Sequence, residues 1–73
     1  MVYDSKEPIM ESEYRFLNLR EVLHKTGLGK TSIYQYMAEG KFPRNVSLGG
    51  RSVAWVSTEI DDWMLERMQE RYE

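Results

Sequence analysis

The chain contains no cysteine and one histidine, His24. That excludes a disulfide framework and a thiolate metal centre, and a single imidazole cannot assemble a multi-histidine site. Without such staples, 73 residues lie near the lower size at which a hydrophobic core alone holds a fold together. There is room for one domain and one small core. No apolar run approaches the ~18 residues that a membrane span requires. The opening MVYDSKEPIMESE lacks the basic start and apolar stretch of a secretory signal. The expectation is a soluble protein of a reducing cytoplasm. Internal repeats and interpretable low-complexity tracts are also missing.

A one-sided charge balance is lacking as well, since the net charge is only −2. The distribution says more than the total. From Arg15 to Arg51 seven cations (Arg15, Arg20, Lys25, Lys30, Lys41, Arg44, Arg51) face two acids (Glu21, Glu39), a local +5. Residues 1–14 carry four acids against Lys6, or −3; residues 52–73 carry six acids against Arg67 and Arg71, or −4. A basic centre framed by acid attracts phosphate locally while restraining unspecific binding. The bland alternative is an ordinary solvated surface.

Residues 1–13 hold Asp4, Glu7, Glu11 and Glu13 around Pro8 with little apolar periodicity, which predicts a mobile acidic tail or loosely docked arm. Residues 14–73 form the domain. Phe16, Leu19, Val22 and Leu23 fall at helical spacing, with Asn18 as cap and Thr26-Gly27 as the end. A second helix runs from Lys30 to Glu39 and stops at Gly40. Its core residues are Ile33 and Met37, helped by Leu28 and, at the edge, Tyr36. Lys30, Thr31, Tyr34 and Gln35 then face outward. Phe42-Pro43 leads into Asn45 to Leu48 and Val53 to Val56, joined through Gly49-Gly50-Arg51-Ser52 as a hairpin. Alternation predicts Val46, Leu48, Val53 and Trp55 inside and Arg44 and Ser47 outside, with Arg51 near the tip. Ser57 or Thr58 caps a last helix through about Arg71 that shows Ile60, Trp63, Met64 and Arg67 on one face, Trp63 being its main core anchor. The fold class is α+β: a small winged helix-turn-helix, its helices packed with a two-stranded antiparallel hairpin wing. Such a helix and ribbon are what a reader of duplex DNA requires.

Enzymatic readings fail on spacing. Gly29-Lys30-Thr31 resembles the end of a phosphate-binding P-loop, but His24 occupies the position of the required earlier glycine. Asp61 and Asp62 are adjacent, so on a helix they point about 100° apart and read as acids favoured at a helix start. His24 has no recognisable acid-base partner and reads as a surface residue. No catalytic residue, cofactor, metal or small-molecule ligand is expected.

The motifs R-F-L-N-L-R-E-V (Arg15 to Val22), T-G-L (Thr26 to Leu28), S-I-Y (Ser32 to Tyr34), G-K-F-P-R (Gly40 to Arg44), L-G-G-R (Leu48 to Arg51), and Trp55 followed by E-I-D-D-W (Glu59 to Trp63) resemble the AlpA-type small prophage regulators. That winged-helix group is related to phage excisionases and to the DNA-binding domains of the MerR class. The resemblance implies a sequence-specific DNA-binding protein of a mobile genetic element, a prophage or genomic island. It would be a recombination directionality factor that bends DNA and promotes excision with a tyrosine recombinase (integrase), or a transcriptional regulator of an integrase or prophage gene. Two residues depart from the pattern. Gly29 stands where a Ser usually caps the second helix, a loss of a few tenths of a kcal/mol, and Gln35 stands where relatives are often basic.

The expected DNA contacts are Lys30, Thr31, Tyr34, Gln35, Arg44, Arg51 and Ser52, with Arg20 and Lys25 as supporting phosphate contacts. Lys30 and Thr31 begin a helix whose amides and dipole favour an anion. Gln35 carries an amide suited to adenine, or is a plain surface glutamine. Tyr34 either donates its hydroxyl to phosphate or lies on the core with that hydroxyl in water. Arg44 and Arg51 flank the wing, where guanidinium pairs with phosphate or enters a narrow minor groove, and Arg51 heads the set. Expected partners are double-stranded DNA at element ends or promoters, the integrase, and neighbouring copies along the DNA; no membrane partner is expected. A further reading is a protein-interaction module using Leu65, Met68 and Tyr72 on the last helix.

Overall fold

Six elements follow one another in a computed structural model that describes residues 15–71: β1 (Phe16–Leu17), α1 (Leu19–Thr26), α2 (Lys30–Ala38), β2 (Val46–Gly49), β3 (Ser52–Val56) and α3 (Ser57–Glu70). The acidic tail and Tyr72 lie outside the described residues. Local chemistry sets the first boundaries. Asn18 Oδ1 accepts from the Glu21 amide at 2.8 Å, and Glu21 Oε1 accepts from the Asn18 amide at 2.8 Å, a reciprocal box that satisfies two otherwise orphaned donors. At the other end Gly27 takes φ 79° and donates to the Leu23 carbonyl at 2.8 Å, a left-handed conformation that costs a side-chain-bearing residue ~1–2 kcal/mol. Thr26 Oγ1 donates to the Val22 carbonyl and accepts from the Leu28 amide, closing the turn into α2. Gly29 is the N-cap of α2 and supplies no side-chain hydrogen bond.

The sheet has three antiparallel strands in the order β1-β3-β2, not the two expected. Phe16 sits opposite Val56 and Leu17 opposite Trp55. Phe16 therefore leaves the helical pattern assigned to it and is exposed. Two residues give no periodicity, and β1 exists only because β3 supplies its hydrogen-bonding partner.

The hairpin forms where expected, but its inside set needs correction. Val46 pairs with Ala54 and Ser47 with Val53. Paired residues share a face, so Ser47 lies on the Trp55 side yet stays exposed, as expected of it, while Val46 is half-buried on the other face, opposite the buried Ala54. A bulge then places Leu48 and Gly49 against Ser52. Leu48 and Val53 are 49% and 37% exposed, because the wing extends past the helices that cover Trp55.

The core consists of Leu17, Val22, Ile33, Phe42, Trp55 and Ile60, with Leu19, Leu23, Leu28, Tyr36, Met37, Trp63 and Met64 packed around it. Trp55 is its largest fully buried side chain. In α3 the deepest anchor is Ile60; Trp63 is half-buried at the rim, its ring against Phe42 at 4.8 Å between centroids. The indole N–H reaches the Lys41 carbonyl at 2.8 Å, which holds this ring at the edge. The expected cap of α3 is also corrected. Neither Ser57 nor Thr58 is the N-cap; Val56 precedes the helix without a side-chain cap bond. Ser57 is instead buried, its Oγ accepting from the Arg15 amide at 3.0 Å while its own amide donates to the Arg15 carbonyl at 2.9 Å. Its hydroxyl thus fastens the start of β1.

Candidate nucleic-acid interface

Helix α2 presents two unlike faces. Ile33 is fully buried and Met37 packs on the core, whereas Lys30, Thr31, Tyr34 and Gln35 are exposed, as the four-residue spacing of each pair requires. Tyr34 lies with its ring edge-on to Trp55, 6.2 Å between centroids and 72° between planes, and more than a third of the residue remains open to solvent. Gln35 Nε2 donates to Glu39 Oε2 at 3.2 Å. One of the two amide donors is thereby engaged on an exposed surface, and a carboxylate stands one turn below it.

Trp55 joins this helix to the wing. Its ring touches Tyr34, and its indole N–H donates to the Pro43 carbonyl at 3.1 Å, which holds the segment carrying Arg44 against β3. Arg44, Arg51 and Ser52 are exposed. Gly49 and Gly50 take φ 114° and 55°, the left-handed values the tip needs. Ser47 Oγ accepts from the Gly49 amide at 3.3 Å, bracing the bulge behind that tip.

The basic centre divides into paired and unpaired cations. Arg15 meets Glu21 at 3.5 Å, Lys25 meets Asp61 at 2.9 Å and Lys41 meets Glu39 at 3.5 Å. Each pair is substantially exposed and so is worth ~0–1 kcal/mol. Among the described residues no ion pair involves Arg20, Lys30, Arg44 or Arg51. Arg20 and Lys25 do not share a site with α2; they line a groove between α1 and the start of α3 together with His24, Glu21, Asp61 and Asp62. Arg44 lines a second groove, in which Glu59, Asp62 and Glu66 form the opposing wall. That acidic wall was missed in the sequence, although positions 59, 62 and 66 repeat at the spacing of one helical face. Glu39 was missed too, and its position four residues after Gln35 was the available signal. No group of three or more His, Cys, Asp or Glu side chains among the described residues could hold a metal ion, and no described helix is long and apolar enough to cross a membrane.

The family of the prophage CP4-57 regulatory protein (AlpA) matches residues 15–68. The chain is 43% identical to the uncharacterized protein ORF88 of Enterobacteria phage P4, over 82% of this chain and 68% of that protein. It is 36% identical to the DNA-binding transcriptional activator AlpA of Escherichia coli (strain K12), over 77% of this chain and 89% of the relative. The family match begins beside β1, takes in both grooves and the wing, and ends within α3. This chain belongs to the AlpA family of prophage regulatory proteins.

Proposed function

We propose that this chain is a sequence-specific DNA-binding protein of a mobile genetic element. One observation carries the reading: Lys30, on the exposed face of α2, and Arg44 and Arg51, on the wing, have no carboxylate partner among the described residues, as is true of Arg20 on α1, while Arg15, Lys25 and Lys41 do. In this reading α2 enters the major groove and the wing follows the adjacent minor groove. Lys30 and Thr31 hold phosphate at the helix start, where the dipole contributes roughly +0.5 charge. Gln35 turns its amide from Glu39 to a base edge, Tyr34 donates its hydroxyl to phosphate, and Ser52 supports Arg51 at the tip. Lys25 contributes least, since Asp61 already holds it; Arg20 adds a phosphate contact.

The bend imposed by wing and helix suits an excision factor, a recombination directionality factor that helps a tyrosine integrase assemble on the element ends. Control of transcription at an integrase or prophage promoter is the second reading, favoured by the likeness to a DNA-binding transcriptional activator. An electrophoretic shift assay with element-end DNA and integrase-promoter DNA tests both. Specific retardation of element ends, with stimulated excision by the integrase, supports the first; retardation of the promoter alone supports the second. Equal, salt-labile retardation of every duplex would sink the specific reading.

A further inference from the structure

The wing carries two apolar side chains that the fold leaves partly in solvent. Leu48 and Val53 are 49% and 37% exposed, and neither belongs to the buried core cluster. They stand on opposite faces of the ribbon: Val53 shares a face with its partner Ser47, and Leu48, in the bulge set against Ser52, takes the face of Ser52, which alternates with Val53 along β3. Beyond them the tip is nearly bare, with Arg51 its one long side chain after Gly49-Gly50. A Cβ at either glycine would meet nothing within 4 Å, so the space around the tip is open. From Gly40 to Thr58 there is no acidic residue, and the charged residues are Lys41, Arg44 and Arg51.

These features select the kind of partner. A flat protein surface can cover one face of a ribbon, but here each face exposes an apolar group. A cleft with two walls covers both. The cations and the absence of acid require that cleft to be anionic. The minor groove of duplex DNA meets both conditions: it is roughly 6 Å wide, and its walls are deoxyribose C–H surface edged by phosphate. Two glycines make the tip thin enough to enter, and Leu48 and Val53 are the first apolar side chains behind it. We infer that Leu48 and Val53 are the apolar flanks of a minor-groove wing, seated on the deoxyribose walls to either side of Arg51, and that they set its depth of insertion and the bend that follows. This inference rests on the DNA-binding reading above. Apolar side chains pressed on the sugar walls widen the groove, a deformation coupled to bending of the duplex, so the contact links affinity to bending.

The test uses the full chain and a short duplex recovered from a random pool by selection with the wild-type protein. Leu48→Ala and Val53→Ser should each weaken binding about fivefold, with an unchanged salt dependence, because apolar area is lost and phosphate contacts are not. The bend measured on circularly permuted fragments should decrease, Leu48→Met should retain both properties, and melting temperatures should stay at the wild-type value. Wild-type affinity and bending in both variants would overturn the inference. So would a fall in melting temperature that parallels the loss of affinity, which would make the residues structural. Sedimentation that shows the free protein self-associating, and Leu48→Ala dispersing it, would assign the surface to a second copy instead. If selection enriches no duplex, the DNA-binding reading itself fails, an outcome distinct from normal binding by the wing variants.

Discussion

Truncating Trp55 should unfold the domain, whereas truncating Trp63 should not. Trp55 is fully buried, donates to the Pro43 carbonyl at 3.1 Å, lies opposite Leu17 in β1 and meets Tyr34 edge-on. Removing so large a core side chain costs ~3–5 kcal/mol in lost burial and residual cavity. The deserted Pro43 carbonyl adds about 1 kcal/mol, the low end because the bond is only partly buried. The total of roughly 4–6 kcal/mol matches or exceeds the ~3–5 kcal/mol that a core of this size can be expected to supply. Trp55→Phe keeps most of the apolar volume and loses the hydrogen bond, so about 2 kcal/mol is expected. In a domain this small that lowers the melting temperature by about 8–16 °C. Trp63 is half-buried; its Ala variant loses the contact with Phe42 and the bond to Lys41 but leaves an open notch instead of a cavity, for about 1–3 kcal/mol. Far-UV circular dichroism with thermal and urea titration reads all three. A Trp63→Ala protein less stable than Trp55→Ala, or a Trp55→Ala protein melting near wild type, would refute this picture of the core.

Asn18→Ala should cost about 1 kcal/mol in urea titration, and adding Glu21→Ala should cost less than the sum of the single changes, since the two residues form one reciprocal box; strict additivity would show that the box is not cooperative. Arg51→Ala should leave the melting temperature unchanged and weaken DNA binding by about 1–3 kcal/mol; unchanged affinity at moderate salt would remove Arg51 from the interface. The free protein should sediment as a monomer and bind cooperatively to repeated sites, because one winged domain offers an interface near the low end for specific binding and neighbours must add to it. A stable free dimer, or equal per-site affinity on one-site and multi-site fragments, would sink that assembly.

What the sequence disclosed was the chemistry acting over a few residues. Asn18, Gly27, Gly40 and Gly49-Gly50 occupy the caps and turns assigned to them, because a cap or a positive φ depends on the residue itself. Ile33 against Lys30, Thr31, Tyr34 and Gln35 was legible for the same reason: helical periodicity needs no distant partner. What escaped depends on partners far along the chain. Strand β1 is two residues long and is created by β3, about forty positions later. Ser57 looked like a cap until the Arg15 backbone claimed its hydroxyl. Two tryptophans in a short chain both suggest a core, and only the packing of Ile33, Leu17 and Phe42 shows that Trp55 lies within it and Trp63 at its rim. Leu48 followed the alternation of a strand, but a bulge and the reach of the wing past the helices left it in solvent.

The acids around the basic centre do more than make the protein slightly anionic overall. Asp61 holds Lys25, while Glu21 and Glu39 hold Arg15 and Lys41, so three of the seven cations of the basic centre are occupied in the free protein. Arg20, Lys30, Arg44 and Arg51 remain. Counterion release should therefore give a plot of log K against log salt with a slope near −3 to −4, about 0.9 per phosphate neutralised, where seven engaged cations would approach −6. The exposed pairs are weak, so a steeper slope would show that DNA pulls Lys25 and its like away from their carboxylates. Asp61→Asn separates the cases: if Lys25 is idle on DNA because Asp61 holds it, freeing the lysine should steepen the slope by about one unit. An unchanged slope would mean that the groove between α1 and α3 faces away from the duplex, leaving α2 and the wing to make every phosphate contact.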